Sequence, residues 1–153
     1  MFPPLNFPQV KLRLRKHENQ TQVFDSIRKK FVLLTPEEWV RQHALHFILD
    51  EKQYPAGLIE VEKQITLFNT TKRVDILVRD KTLKPLLLVE CKATGIELTQ
   101  TEINQLARYQ ITIQAPYCML SNGINHVVMK LQQGDKVESL TELPAYTETR
   151  NKI

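Results

Sequence analysis

Two short segments, residues 72–79 and 86–92, are apolar at nearly every interior position, and only Asp80-Lys81-Thr82-Leu83-Lys84-Pro85 joins them. Strands covered on both faces read as unbroken apolar runs, whereas half-exposed strands alternate with period two. A link this short holds no crossover helix, so the pair must form an antiparallel hairpin. A hairpin apolar on both faces has to sit inside a layered structure with other elements packed on each side.

The flanking sequence supplies those elements. Residues 10–16 alternate apolar and basic and read as a half-exposed strand, 17–22 as a turn, and 23–34 as a short strand or a linker. Thr35 is a natural helix N-cap, with Pro36 at the first helical position and Glu38 three residues after the cap, a capping box. The helix it opens runs to about Lys52, where Tyr54-Pro55-Ala56-Gly57 ends it. Residues 58–68 form a strand ahead of the hairpin, and a second helix spans about 99–113. Strands follow at 117–120 and 126–131, with a turn at Gln133-Gly134-Asp135 and a loose polar tail beyond Leu143. The expected fold class is α/β, more strictly an α+β mixed sheet flanked by helices. With 153 residues it makes a single domain: a basic strand region over 1–34, a core over 35–131, and a tail over 144–153.

Composition removes several function classes. A hydrophobic share of 42% and a charged share of 25% argue against wholesale disorder. No apolar run approaches the roughly 18 residues that span a bilayer, and the N-terminus lacks the pattern of a signal peptide. Four scattered glycines leave no room for a phosphate-cradling loop or a dinucleotide turn, so neither an ATP-driven motor nor a dinucleotide enzyme is expected. Cys91 and Cys118 lie in apolar runs at no zinc spacing, which suits free thiols in a reducing cytoplasm. The net charge of +4 is concentrated early: Lys11, Arg13, Arg15, Lys16, Arg28, Lys29 and Lys30 face only Glu18 and Asp25 between residues 9 and 30. That run reads equally as a protected sheet edge or as a phosphate-contacting patch.

Charges inside the hairpin are the main anomaly. Glu90 and Lys92 interrupt one strand two residues apart, a spacing that sets an acid and an amine side by side on one face. Asp75 interrupts the other strand, and a turn centred between Thr82 and Leu83 places it opposite Glu90. Two adjacent carboxylates tolerate each other with a divalent cation between them, and hard oxygen donors suit magnesium. A neighbouring ammonium can stabilise charge on a phosphoryl group. The plainer alternative is a buried ion pair, which must find partners for all three groups.

Asp75 followed by Glu90-Cys91-Lys92 resembles the PD-(D/E)xK nuclease signature. Gln105-Leu106-Ala107-Arg108-Tyr109 resembles the QxxxY element of several branches of that superfamily, and Ser121-Asn122-Gly123 resembles its Thr-Asn-Gly element. Together with Pro36-Glu37-Glu38-Trp39-Val40-Arg41-Gln42, these segments resemble the N-terminal nuclease domain of type I restriction enzyme R subunits over residues 30 to 131. The resemblance implies a restriction-endonuclease-like core and a metal-dependent DNA endonuclease. Asp75 and Glu90 would be metal ligands, with the Cys91 carbonyl as a third, Lys92 the catalytic lysine, and Gln105 and Tyr109 positioning groups or DNA contacts. An acid on the first helix would complete the metal site; Glu38 fits by its place in the motif, while helical phase sets Glu37 nearer the apolar face. Mg2+ is the implied cofactor, with Mn2+ as a substitute. DNA is the implied partner, with separate motor or specificity subunits or a second copy as further partners; the basic Lys11, Arg13, Arg15, Lys72 and Arg73 are the candidate nucleic-acid contacts by their charge. A non-catalytic DNA-binding or assembly module, and a nuclease acting on RNA, remain alternatives. Val74 stands where the signature has proline. His43 and His46 read as structural residues, and Trp39 as a core anchor.

Overall fold

In the computed structural model, residues 2–149 are described. The chain begins with three short strands, β1 (Leu14–His17), β2 (Gln20–Asp25) and β3 (Lys30–Leu33), and then helix α1 (Pro36–His46). Strands β4 (Ile59–Leu67), β5 (Thr70–Arg79) and β6 (Pro85–Cys91) follow, and then helix α2 (Gln100–Ile113). Strands β7 (Tyr117–Ser121), β8 (His126–Gln132) and β9 (Lys136–Leu140) lead to a short helix, α3 (Tyr146–Thr149).

The strands make two sheets: β1-β2-β3, and a six-stranded sheet in the order β4-β5-β6-β7-β8-β9. Neighbours in the larger sheet are antiparallel except β6 and β7, which run parallel because α2 carries the chain across between them. On one face α1 sets Val40 and Ala44, and the turn after it Ile48, against Ile76, Val78, Leu87 and Val89. On the other, Leu106 of α2 packs on Val74, Leu77, Leu88 and Leu120. Leu86, Leu87, Leu88 and Val89 have no exposed surface, and each such side chain contributes about 1.5–3 kcal/mol on burial. This double cover is why the hairpin is apolar at successive positions. Its register sets Ile76 against Val89, which brings Asp75 against Glu90 one step further, as the loop length implied.

Several elements differ from expectation. The segment read as a turn at 17–22 is a tight hairpin: His17 pairs with Gln20 across Glu18 and Asn19, whose φ angles are 51° and 65°. A two-residue turn with both φ positive matches strand twist and usually announces itself by Asn-Gly; Glu-Asn carries no glycine. The ambiguous stretch 23–34 completes the small sheet as the end of β2 and all of β3. The first helix is regular only to His46, and the turn over Phe47–Glu51 widens to a π-helix. Strand β9 was missed because it is largely exposed, an edge strand with little apolar pattern. The tail is not loose over 144–149: Tyr146 and Thr149 are buried, and the Tyr54 hydroxyl donates to the Pro144 carbonyl at 2.8 Å. Residues 150–153 of that expected tail lie outside the described residues.

The N-terminal segment lies across α1 and the β7–β8 turn. Trp39 Nε1 donates to the Pro3 carbonyl (2.9 Å), so Trp39 anchors this strap and stacks on Phe2. At Gly123, φ is +87° and a Cβ would stand 2.7 Å from Leu5 Cδ2, which is why the turn needs glycine here.

Candidate active site

The β5–β6 hairpin and α1 meet at a buried cluster of charges. Glu38, Arg41 and Gln42 recur at helical spacing on the inner side of α1, and all three are buried. Arg41 is the hub: its guanidinium reaches Glu38 (2.8 Å), Glu62 (2.9 Å), Glu37 (3.1 Å) and Asp75 (3.1 Å). Burial works to lower the Arg41 pKa, but Asp75, Glu38 and Glu62 outweigh it and hold the charge more firmly than in water. Glu38 also accepts from Arg28 (3.0 Å) and from Gln42 (3.0 Å). Asp25, fully buried, accepts from the Ile27 and Arg28 backbones, from Arg28 Nε and from Gln42, and so fixes the small sheet to α1.

Asp75 is held from two sides. One oxygen faces Arg41, and the other accepts the Cys91 backbone N–H at 2.7 Å. Opposite Asp75, the β4–β5 ladder passes from Val61↔Ile76 to Lys63↔Val74 and leaves Glu62 unpaired, with φ at 55°. A non-glycine residue held in this region costs about 1–3 kcal/mol. Here Arg41 and Arg73 hold its carboxylate, the latter at 3.3 Å.

Beside this cluster opens a cleft of about 420 Å³, lined by Lys72, Glu90, Lys92, Glu102, Gln105 and Tyr109 among others. Glu90 projects from β6, with Lys72 Nζ 3.6 Å from its Oε1; the same ammonium lies 5.4 Å from the centre of the Tyr109 ring. Burial, and then the charge of Asp75, raise the Glu90 pKa above the usual carboxylate range, while Lys72 and Lys92 pull it down. The Tyr109 hydroxyl, Glu90 Oε1 and Glu102 Oε2 are buried without a hydrogen-bond partner among the described residues. Burial also raises the Tyr109 pKa, with Glu90 adding to the effect. Lys92 enters the cleft half-buried, its backbone N–H bonded to the Ser121 carbonyl at 2.8 Å.

The residues singled out from the sequence are thus distributed as follows. Glu90, Lys92, Gln105, Tyr109 and Lys72 share the cleft; Asp75 and Cys91 are not among its lining residues, and the Cys91 N–H, next in sequence to Glu90, bonds the two to each other. Glu38 is the buried acid of α1, whereas Glu37 is half exposed, against the helical-phase reading. The capping box is only half formed: Thr35 Oγ1 accepts the Glu38 N–H at 3.0 Å, but the Glu38 side chain turns to the arginines. Arg73 is tied to Glu62, and Lys11, Arg13 and Arg15 lie away from the cleft on or beside the small sheet. Ser121 and Asn122 are occupied by the turn they make: Asn122 Oδ1 accepts from the Ile124 and Asn125 backbones. His43 bonds to the Trp39 carbonyl and His46 to Asp50. Sequence reasoning missed Arg41 and Glu62. The i, i+3 step from Glu38 to Arg41 was visible, but the left-handed backbone at Glu62 leaves no mark in composition.

Matched against known families, residues 36–144 fit the type I restriction enzyme R protein N terminus. The chain belongs to that family. Among solved structures, this R-protein N-terminal chain is similar to a DUF820 protein of Anabaena variabilis ATCC 29413 described as a candidate nuclease. The two are 12% identical with a TM-score of 0.50, over 90% of this chain and 88% of the other. That likeness bears on the fold, which is restriction-endonuclease-like: a mixed sheet between helices. No curated protein matches significantly. Among the described residues no helix of this family member is long and apolar enough to cross a membrane.

Proposed function

We propose that the chain is a magnesium-dependent endonuclease that hydrolyses phosphodiester bonds in DNA. The observation that carries this reading is the convergence of Glu90, Lys92, Gln105 and Tyr109 on one open cleft, with Asp75 close enough to disfavour the Glu90 charge. Asp75, Glu90 and the Cys91 carbonyl would hold the cation. The donor set fits: hard oxygens only, one of them (Glu90 Oε1) buried with the Lys72 ammonium 3.6 Å away, and a carboxylate whose charge burial and Asp75 oppose. Among the described residues no three acidic, histidine or cysteine side chains are grouped so as to hold a metal ion, so the cation would rest on two carboxylates, a backbone carbonyl and waters. Bound there, magnesium would polarise the phosphoryl oxygen and favour ionisation of the attacking water.

The chain's own groups have separable tasks. Lys92 presents an ammonium to the charge that develops on the phosphoryl oxygens. Tyr109 and Gln105 stand one helical turn apart on α2: Gln105 offers its amide to the backbone of the bound strand, and the buried Tyr109 hydroxyl positions the groups around Glu90. Arg41 holds one Asp75 oxygen and the Cys91 N–H the other, so Asp75 keeps one orientation. The test is nicking of supercoiled plasmid with magnesium or manganese, comparing wild type with Lys92→Ala. Cleavage that needs metal and disappears in the variant is expected. Equal cleavage by the variant, or cleavage confined to RNA, would overturn the reading.

A further inference from the structure

The small β1-β2-β3 sheet lies outside the segment that fits the family and has two unlike faces. Val23 and Asp25 point inward, fully buried, and Gln42 of α1 bonds to Asp25. Because side chains alternate along a strand, Arg15, Gln22, Phe24, Phe31 and Leu33 share the opposite, outward face. Arg13 joins them at the strand's start, where its carbonyl accepts the Phe24 N–H. Phe24 and Phe31 pack edge to face with centroids 5.3 Å apart. The Arg15 guanidinium carbon stands 4.0 Å from the Phe31 centroid, and that of Arg13 stands 5.0 Å from Phe24 and 5.3 Å from Phe31. Arg15 Nε also donates to Gln22 at 2.7 Å.

An aromatic pair therefore carries two guanidiniums, and both arginines are exposed. Stacking holds a guanidinium in place while its terminal N–H groups stay free to bind an oxyanion. Lys11, Arg13, Arg15, Lys16, Lys29 and Lys30 all enter no salt bridge among the described residues, whereas Arg28 is spent on Asp25 and Glu38. Arg15 and Arg13 stem from the edge strand β1 and the residue before it, but their guanidiniums reach inward over the Phe24 and Phe31 rings, which edge protection alone does not require. Their outward positions lie roughly 6.8 Å apart along the strand.

We propose that this face docks the phosphate backbone of duplex DNA, with Arg13 and Arg15 as paired phosphate contacts supported by Phe24 and Phe31. The inference rests on the reading of the chain as a nuclease acting on DNA, and adds a binding surface separate from the cleft. Asp25, Arg28 and Glu38 join the small sheet to Arg41 and Asp75 through an unbroken series of charged hydrogen bonds, which ties the docking face to the elements that carry the cleft.

The test is fluorescence anisotropy of a short labelled duplex and of the matching single strand, with the full chain in EDTA over a salt series. Each phosphate contact contributes about one unit to the slope of log affinity against log salt. Arg13→Ala with Arg15→Ala is expected to weaken duplex binding and to flatten the slope by about two units, with unchanged thermal unfolding since both residues are exposed. Phe31→Leu should weaken binding while keeping most of the slope, because both charges remain. An unchanged slope in the double variant, or a loss confined to the single strand, overturns this docking face. If wild-type protein nicks plasmid while the double variant binds duplex as well as it does, only the face is wrong. If wild type binds neither nucleic acid, the DNA reading falls together with it.

Discussion

Replacing Arg41 with methionine removes a cation that four carboxylates share and keeps most of its aliphatic stem. The four do not lose equally. Glu37 and Glu62 have side chains 48% and 31% exposed, so water can replace the arginine, and such contacts are worth about 0–1 kcal/mol each. Glu38 keeps Arg28 and Gln42. Asp75 keeps only the Cys91 N–H and becomes a buried charge without a counter-ion. Removing one partner of a buried pair costs about 3–5 kcal/mol, and the partners left to Glu38 set the expected loss at the lower end, about 3 kcal/mol. A domain of this kind has about 5–15 kcal/mol in hand, so the variant should fold and be measurable. Urea unfolding at neutral pH reads the loss, and a double-mutant cycle with Asp75→Asn should assign much of it to that pair. Added magnesium should raise the melting temperature of Arg41→Met more than that of wild type, because the arginine no longer competes for Asp75. A loss below about 1 kcal/mol would contradict this, since it would mean that water already satisfies the four carboxylates.

Three other outcomes follow from single groups. Burial tends to raise the Asp25 pKa, but hydrogen bonds from the Arg28 backbone, Gln42 and the Arg28 side chain hold it below the ordinary 3.8. A carboxyl lowered on folding stabilises above its unfolded pKa, and that stabilisation is lost as pH falls through the lowered value. Asp25→Asn should therefore cost about 2 kcal/mol at neutral pH, and its urea midpoint should approach that of wild type in acid; a gap constant with pH contradicts this. Tyr109→Phe removes a buried hydroxyl that has no partner among the described residues, so stability should change by less than about 0.5 kcal/mol or rise. Plasmid nicking by the same variant should slow about tenfold, the worth of one hydrogen bond that positions the site; unchanged nicking would remove Tyr109 from the site.

The central hairpin was legible because two physical signals coincide there: a sheet covered on both faces tolerates no gap in its apolar runs, so Asp75, Glu90 and Lys92 stand out. Loop length then gave the register. The small sheet was only half legible, since the turns at Glu18-Asn19 and Lys29 use non-glycine residues at positive φ. Arg41 went unread because a charged residue on an amphipathic helix is normally solvated, and only the fold shows that its face meets Asp75. Glu62 was beyond reach for another reason. Glu60, Glu62 and Lys63 look like an ordinary polar edge until the ladder breaks opposite Asp75.

Anomalous diffraction from crystals soaked in manganese would locate the cation. The predicted result is a peak within bonding distance of one Asp75 oxygen, one Glu90 oxygen and the Cys91 carbonyl. A protein that nicks DNA with manganese but shows its metal on other ligands, with none at this hairpin, would contradict the assignment.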